Sequence, residues 1–300
     1  MKQLHDVDLR LLRVFDVVVR CGGLSAAQAE LNVGQSTISM QLAQLEVRLG
    51  ARLCERGRGG FRLTEEGRAI HEASQRLLSA VDGFRLEADQ LKKTFSGTLN
   101  LGLIDNTVTD TKSPLRGAIQ RFLARGKDVG VHVYIGTPSE LEQRVLDGRL
   151  HLAVGHFPFQ VSGLAALPLY DEPHGLFCAA DHAVLKADIG GGNGDMLAQV
   201  RSEQVVARGY LRRRDLDLLN VNVAAFTVDN IEAQAILILS AGCIGFLPIH
   251  YAAQWVGRGE LVQILPKSMV LVSRFTAIRR RLAPPPLVRS FLSDLTAESP

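Results

Sequence analysis

The chemistry this chain can offer is concentrated in residues 35–62. At 100° per residue, Ser36, Met40, Ala43 and Gln44 share one arc of a helix, with Thr37, Ser39 and Arg48 beside it. Ile38, Leu42, Leu45 and Leu49 fall on the opposite arc. Such a helix has one face made for a core. The other is small, uncharged and able to hydrogen-bond to base edges in a major groove. Residues 48–62 then hold Arg48, Arg52, Arg56, Arg58 and Arg62 against Glu55 alone, interleaved with Gly57, Gly59 and Gly60. Glycine lets a backbone come close to a phosphate, and arginine grips one through paired hydrogen bonds. The same residues also read as a solvated helix face followed by a solvated basic loop.

Nothing comparable speaks for catalysis. Gly190-Gly191-Gly192-Asn193-Gly194 is neither a dinucleotide fingerprint nor a phosphate-binding loop ending in Gly-Lys-Ser/Thr, and no GxSxG is present. His151 and His156 fall on a strand and its following loop with no third metal ligand nearby. Glu65-Glu66 and Glu140-Glu142 are helix-start acids rather than an acid/base pair. The cysteines at 21, 54, 178 and 243 have neither CxxC nor regular spacing, which argues against a disulfide framework or zinc site. No catalytic residue, metal or cofactor is expected.

The elements that must position residues 35–62 are legible on both sides. Residues 8–20 carry Leu11, Leu12, Phe15, Val18 and Val19 on one helical face, and Gly22-Gly23 ends that helix. Ser25-Ala26-Ala27-Gln28 has the pattern of a capping box opening a short helix over 26–31, broken by Asn32-Val33-Gly34. Two short helices around a tight turn, the second with a small polar face, describe a helix-turn-helix; a plain three-helix bundle is the alternative. Residues 64–92 form one long helix capped by Thr64. Its apolar positions Ile70, Ala73, Leu77, Ala80, Phe84, Ala88 and Leu91 follow the coiled-coil period. That stripe suits pairing with a second copy; an intramolecular core helix is the other reading.

Residues 8–67 resemble the N-terminal domain of LysR-type transcriptional regulators. The specific parts are Leu24-Ser25-Ala26-Ala27, Gln35-Ser36-Thr37-Ile38-Ser39, Leu45-Glu46, Leu49-Gly50, Leu53, Glu55-Arg56 and Leu63-Thr64-Glu65-Glu66-Gly67. The resemblance implies a winged helix-turn-helix over 1–63, a linker helix for dimerisation over 64–93 and an effector-binding domain over 94–300. It also implies a homodimer assembling to a homotetramer on double-stranded promoter DNA. By position it implies DNA contacts from Ser25, Gln35, Ser36, Thr37, Ser39, Gln44, Arg56 and Arg58, with Arg62 in the same basic loop. Two positions depart from the family pattern. Gly34 stands where a hydroxyl often caps the recognition helix. Met40 stands where a basic or polar residue is common, so it can touch a thymine methyl but makes no charged contact.

The remaining two hundred residues alternate strand and helix, which implies an α/β domain with a mostly parallel sheet. Strands are expected over 98–104, 131–135 and 150–154. Helices are expected over 114–125 (Leu115, Ile119, Phe122 and Leu123 inward), 139–147 and 287–295. The order suggests two subdomains of periplasmic-binding-protein type, I over about 98–171 and 269–300, II over about 172–268, with chain crossings near 171 and 268. Ligands of such sheets sit at the carboxyl ends of strands, where helix N-termini point at them. The residues expected there are Asp105, Asn106, Thr107, Thr137, Ser139, His156, Arg208 and Asn230, with Phe246 in the Gly-rich run 241–248. Hydroxyls at helix N-termini would suit a small, probably carboxylate-like anion, with Arg208 as a fixed charge and His156 as a donor or a satisfied loop residue.

The 300 residues are ordinary in composition, 46% apolar and 22% charged, which excludes a wholly disordered chain. A net charge of +3 excludes a polycation, so nucleic-acid binding must come from a local patch. The most apolar stretch, 235–249, is interrupted by Ser240, Gly242 and Gly245 and is too short to span a bilayer. A cytoplasmic regulator is therefore expected, without membrane contact. Its effector would bias subdomain closure, bend the DNA differently and change contact with RNA polymerase.

Overall fold

The computed structural model describes residues 5–57, 60–90, 97–185, 193–211, 213–240 and 242–297. It divides into two compact units, Met1–Ala88 and Asp89–Pro300.

In the first unit, α1 (Asp6–Arg20), α2 (Leu24–Leu31) and α3 (Gln35–Leu49) enclose a core of Leu11, Leu12, Phe15, Val18, Ala27, Ile38, Leu42, Leu45 and Leu53. Gly22 and Gly23 adopt φ values of 73° and 150°, so the α1–α2 turn is tighter than side-chain-bearing residues allow. This moves the start of α2. Gly23, not Ser25, is the cap, its carbonyl accepting the Ala27 N–H at 3.1 Å, and Ser25 lies inside the helix. The expected capping box is thus corrected. Asp8, fully buried, accepts two hydrogen bonds from the Arg48 guanidinium, tying α1 to the end of α3. That guanidinium holds the Asp8 carboxyl at about 2.

A two-stranded antiparallel wing follows, β1 (Cys54–Gly57) and β2 (Gly60–Leu63), and then α4 (Glu65–Gln90). Glu46 of α3 accepts the Leu53 N–H at 2.8 Å, fixing where the wing begins. The Thr64 hydroxyl accepts the Gly67 N–H at 2.9 Å, as expected of a cap. The stripe of α4 is split rather than whole. Ile70 and Leu77 pack on the unit's own core, and His71 meets Phe15 edge-on and reaches Asp16 Oδ1 at 3.0 Å. Ala73, Ala80 and Phe84 remain exposed, Phe84 by 70%. The first turns of α4 therefore do hide part of the seam, because the buried face, with Ser74 at its centre, runs along one edge of it.

The second unit is built on a seven-stranded sheet ordered β10-β6-β11-β5-β3-β4, with β9 added beside β6. Its strands are β3 (Gly97–Leu103), β4 (Val129–Ile135), β5 (Leu152–His156), β6 (Leu164–Ala179), β9 (Gly245–Pro248), β10 (Leu261–Ile264) and β11 (Val270–Arg280). A further parallel pair is β7 (Val206–Arg208) and β8 (Phe226–Val228). Helices α5 (Leu115–Leu123), α6 (Pro138–Leu146), α7 (Asn193–Ser202), α8 (Arg214–Leu219), α9 (Ile231–Leu239), α10 (Ile249–Gly257) and α11 (Pro286–Thr296) complete it. The sheet is mixed, not mostly parallel. β3, β4 and β5 pair in parallel, but β6 and β11 run antiparallel along almost their whole length and carry the chain between the two subdomains together. The third strand begins two residues later than expected. In α5, Ala118 rather than Leu123 faces inward, and Leu123 is exposed. Phe291 of α11 meets Phe122 edge-on at 5.4 Å, and Arg125 holds Asp294 at 2.7 Å, so the last helix closes the first subdomain as expected.

His151 sits just before β5, its Nδ1 accepting the Asn100 N–H at 2.9 Å. Burial, aided by the Arg280 charge, lowers its pKa to about 4. The folded chain thus favours the neutral ring. This contribution is complete above the unfolded value near 6.5 and is lost as pH falls from there toward 4. The loss amounts to about 2 kcal/mol by pH 5. Thermal melts should show Tm falling between pH 7.5 and pH 5, with a shallower fall in His151→Asn, whose Oδ1 can replace the Nδ1 acceptor. Equal slopes in the two proteins would contradict the assignment.

Candidate nucleic-acid interface and ligand crevice

The turn between α2 and α3 is set by Asn32, left-handed at φ 52°, followed by Val33 and Gly34. No side chain at Gly34 caps α3. Gln28 of α2 supplies the cap instead: its Oε1 accepts the Gln35 N–H at 3.2 Å while its Nε2 donates to the Ser25 carbonyl at 3.2 Å. Ser25 Oγ donates to Gln35 Oε1 at 3.2 Å. One amide side chain therefore replaces the missing hydroxyl and locks the two helices of the motif together.

The α3 surface matches the pattern expected from its periodicity. Ser36, Met40, Ala43 and Gln44 are exposed, Thr37 and Ser39 are half-buried at its edge, and Ile38, Leu42 and Leu45 are buried. Met40, 66% exposed, is central to it. The basic patch needs one correction. Arg48 is engaged with buried Asp8, so it belongs to the core and not to the patch. Arg52 and Arg62 are exposed, and Arg62 stands opposite Glu55 in the wing. Arg56 pairs with Phe61 in the same hairpin; its side chain, and all of Arg58, lie outside the described residues.

In the second unit, two adjoining cavities open where the parallel strands end. One, about 240 Å³, is lined by residues including Ile104, Asp105, Ile135, Thr137, Tyr210, Asp229 and Asn230. The other, about 500 Å³, shares Thr137, Glu140, Tyr210 and Asp229 and adds Ser139, Glu142 and Phe159. Asp105, Thr137, Ser139 and Asn230 are thus brought together as expected. Tyr210, two residues past Arg208, and Asp229, beside Asn230, follow strand ends and line both cavities, but were not among the expected contacts.

Five expected contacts fall elsewhere. Phe246 is fully buried in the core beneath β6 and β9. His156 ends β5 and is satisfied on both ring nitrogens, Nδ1 against the Arg274 carbonyl at 3.0 Å and Nε2 against Arg214 Nη1 at 3.3 Å. Burial lowers its pKa, which suits a neutral ring. Asn106, left-handed at φ 55°, and Thr107 line neither cavity. Arg208 is buried behind Tyr210, with Nη1 3.4 Å from the Tyr210 hydroxyl and Nη2 3.2 Å from His174 Nδ1.

The helix N-termini at these two cavities are already capped. At α6, Thr137 Oγ1 accepts the Glu140 N–H and Glu140 Oε2 accepts the Thr137 N–H, a complete capping box. At α9, Asn230 Oδ1 accepts the Ala233 N–H at 2.7 Å, and Asp105 Oδ2 takes the Ile231 N–H at 2.6 Å from the facing subdomain. Burial pushes the Asp105 carboxyl up, against that hydrogen bond and the Arg208 charge. The two cavities present Asp105, Glu140, Glu142 and Asp229, and no Lys or Arg lines either. The two cavities thus offer no fixed positive charge of their own to the expected carboxylate-like ligand.

Among the described residues no helix is long and apolar enough to cross a membrane. The family model "Bacterial regulatory helix-turn-helix protein, lysR family" matches residues 9–68, and "LysR substrate binding domain" matches residues 92–299. The HTH-type transcriptional activator BauR of Pseudomonas aeruginosa is 39% identical over 300 residues, spanning 99% of this chain and 97% of that protein. The SDS degradation transcriptional activation protein of a Pseudomonas species is 28% identical, over 91% of this chain and 90% of its own. The crystal structure of CbnR, a LysR family transcriptional regulator, aligns with a TM-score of 0.67 at 20% identity over 96% of this chain and 97% of that one. CbnR complexed with its target DNA gives 0.65 at 19% identity, over 96% and 98%. With both halves matched and the helix-turn-helix and two-subdomain domain in place, this chain belongs to the LysR family of DNA-binding transcriptional regulators with an effector-binding domain.

Proposed function

We propose that two copies join through the exposed α4 stripe of Ala73, Ala80 and Phe84. Each pair then presents its α3 faces to successive major grooves of double-stranded promoter DNA, about 34 Å apart. Two such dimers form the tetramer. The carrying observation is the exposed, uncharged α3 face, flanked by a Gly- and Arg-rich wing. Ser36, Thr37, Ser39, Met40 and Gln44 meet base edges, Ser25 and Gln35 set the helix against the backbone, and Arg56, Arg58 and Arg62 hold phosphates. The family's members are regulators rather than enzymes, and this chain acts in the cytoplasm by altering contact with RNA polymerase.

The effector lies in the crevice between the subdomains. Its carboxylate walls suit a small ligand that brings positive charge or several hydrogen-bond donors, held by Asp105, Thr137, Ser139 and Asn230 together with Tyr210 and Asp229. A ligand preferring the closed form shifts the tetramer's geometry and the DNA bend.

Titrating the full-length chain onto its own upstream duplex at several salt concentrations tests the phosphate assignment. Arg62→Ala should weaken binding to all sequences alike and lower the salt slope by about 1. A change confined to sequence preference would contradict it.

A further inference from the structure

The effector-binding unit holds a second polar constellation, away from both cavities. Asp110 follows the loop after β3, Glu172 lies on β6 where that strand passes between subdomains, and His250 opens α10. One donor atom from each falls within 4.8 Å of the others. His250 Nε2 is 2.8 Å from Glu172 Oε1 and 3.8 Å from Asp110 Oδ2. Asp110 is 9% exposed and Glu172 2%. Neither carboxylate has an Arg or Lys within 4 Å among the described residues. Two buried carboxylates this close repel each other and lose hydration; His250 and His174 offset this at Glu172, each at 2.8 Å, while the Asp110 side offers a carboxylate oxygen to a cation.

A second observation points to the same place. Asp110 Oδ1 accepts the Lys112 N–H at 2.9 Å, but Oδ2, turned toward His250, is buried with no hydrogen-bond partner. The outer contacts are those a ligating histidine needs. His250 Nδ1 is 2.8 Å from Thr109 Oγ1, which can accept a hydrogen bond from Nδ1–H, so that Nε2, which here meets Glu172 Oε1 at 2.8 Å, would be the ligating nitrogen once an ion enters. Glu172 Oε2 is 2.8 Å from His174 Nε2, which orients the carboxylate.

We infer that Asp110, Glu172 and His250 form a binding site for one divalent first-row transition ion of the zinc class. One imidazole nitrogen with two carboxylates suits such an ion better than calcium, which takes six to eight oxygens. In a tetrahedral site with bonds of about 2.1 Å the donors stand about 3.4 Å apart, between the 2.8 and 3.8 Å that separate His250 Nε2 from Glu172 and Asp110. The remaining positions are open to water or to a donor atom of another ligand. Because the three residues come from both subdomains and the strand joining them, the ion would tie the subdomains together at their hinge. The inference does not depend on which ligand fills the crevice.

The test uses the full-length chain, stripped with EDTA, desalted and titrated with Zn(II) by calorimetry and Co(II) by visible absorption. One equivalent should bind, and Zn(II) should raise Tm. Asp110→Asn keeps the Oδ1 contact to Lys112, so it should melt like the parent in EDTA; it and His250→Gln should each bind at least tenfold more weakly. His71→Gln, which removes the His71–Asp16 pair of the other unit, should leave binding intact. Unchanged affinity in both site variants, loss of binding in His71→Gln, or no binding at submillimolar Zn(II) would overturn the inference.

Discussion

Gly67→Ala is expected to destabilise the DNA-binding unit by about 3 kcal/mol and to weaken DNA binding with it. A Cβ at this position would lie 1.9 Å from the Leu53 carbonyl oxygen and 2.8 Å from its carbon. Both are backbone atoms that no rotamer change can move. The contact is tight because the first turn of α4 is stitched to the chain entering the wing. Thr64 N–H donates to the Leu53 carbonyl at 3.1 Å, and the Thr64 hydroxyl donates to the Arg52 carbonyl at 2.6 Å. Relief requires prising α4 from the wing, which shifts the arginines meant for phosphate. Gly83 is the control on the same helix. Nothing lies within 4 Å of its added Cβ, so Gly83→Ala should raise stability by about 0.5–1 kcal/mol. Thermal melts of the two variants decide the matter. If Gly67→Ala melts with or above the parent, the seating of α4 on the wing is wrong.

Met40→Glu should leave the fold intact and reduce duplex affinity at least tenfold, a loss of about 1.4 kcal/mol or more. Met40 is 66% exposed in mid-helix, and glutamate is a good helix former, so Tm should move little. The new carboxylate would face a polyanion across a water-poor groove. Met40→Arg should do the reverse, tightening binding to all sequences and steepening the salt dependence by about one counterion. Fluorescence anisotropy with parent, Met40→Glu and Met40→Arg reads both effects. Parent-like binding by Met40→Glu would place the duplex on another surface.

Periodicity made the helices of the first unit legible, because Ile38, Leu42 and Leu45 on one arc leave Ser36, Met40 and Gln44 on the other whatever surrounds them. Caps were less legible. Ser25 has the right residue type, but Gly22-Gly23 lets the helix start earlier, and the substitute cap for α3 comes from Gln28, seven residues upstream. Arg48 shows the limit of counting charges, since its partner Asp8 is forty residues away. In the second unit, the rule that ligands sit at strand ends found Asp105, Thr137, Ser139 and Asn230. It could not show that Asp105, Thr137 and Asn230 already occupy the helix N-termini. Phe246 and Arg208 belong to the right strands but point into the interior, a choice made by sheet packing. The Asp110–Glu172–His250 group joins segments far apart in the chain and has no spacing signal at all.

The account stands most directly on the paired presentation of α3 to one duplex. A hydroxyl-radical footprint of the full-length chain on DNA upstream of its own gene tests this. Two protected stretches should appear on the same side of the helix, their centres a whole number of turns of about 10.5 base pairs apart, and both should vanish together in Met40→Glu. A single isolated protected stretch, or none in low salt, would contradict it.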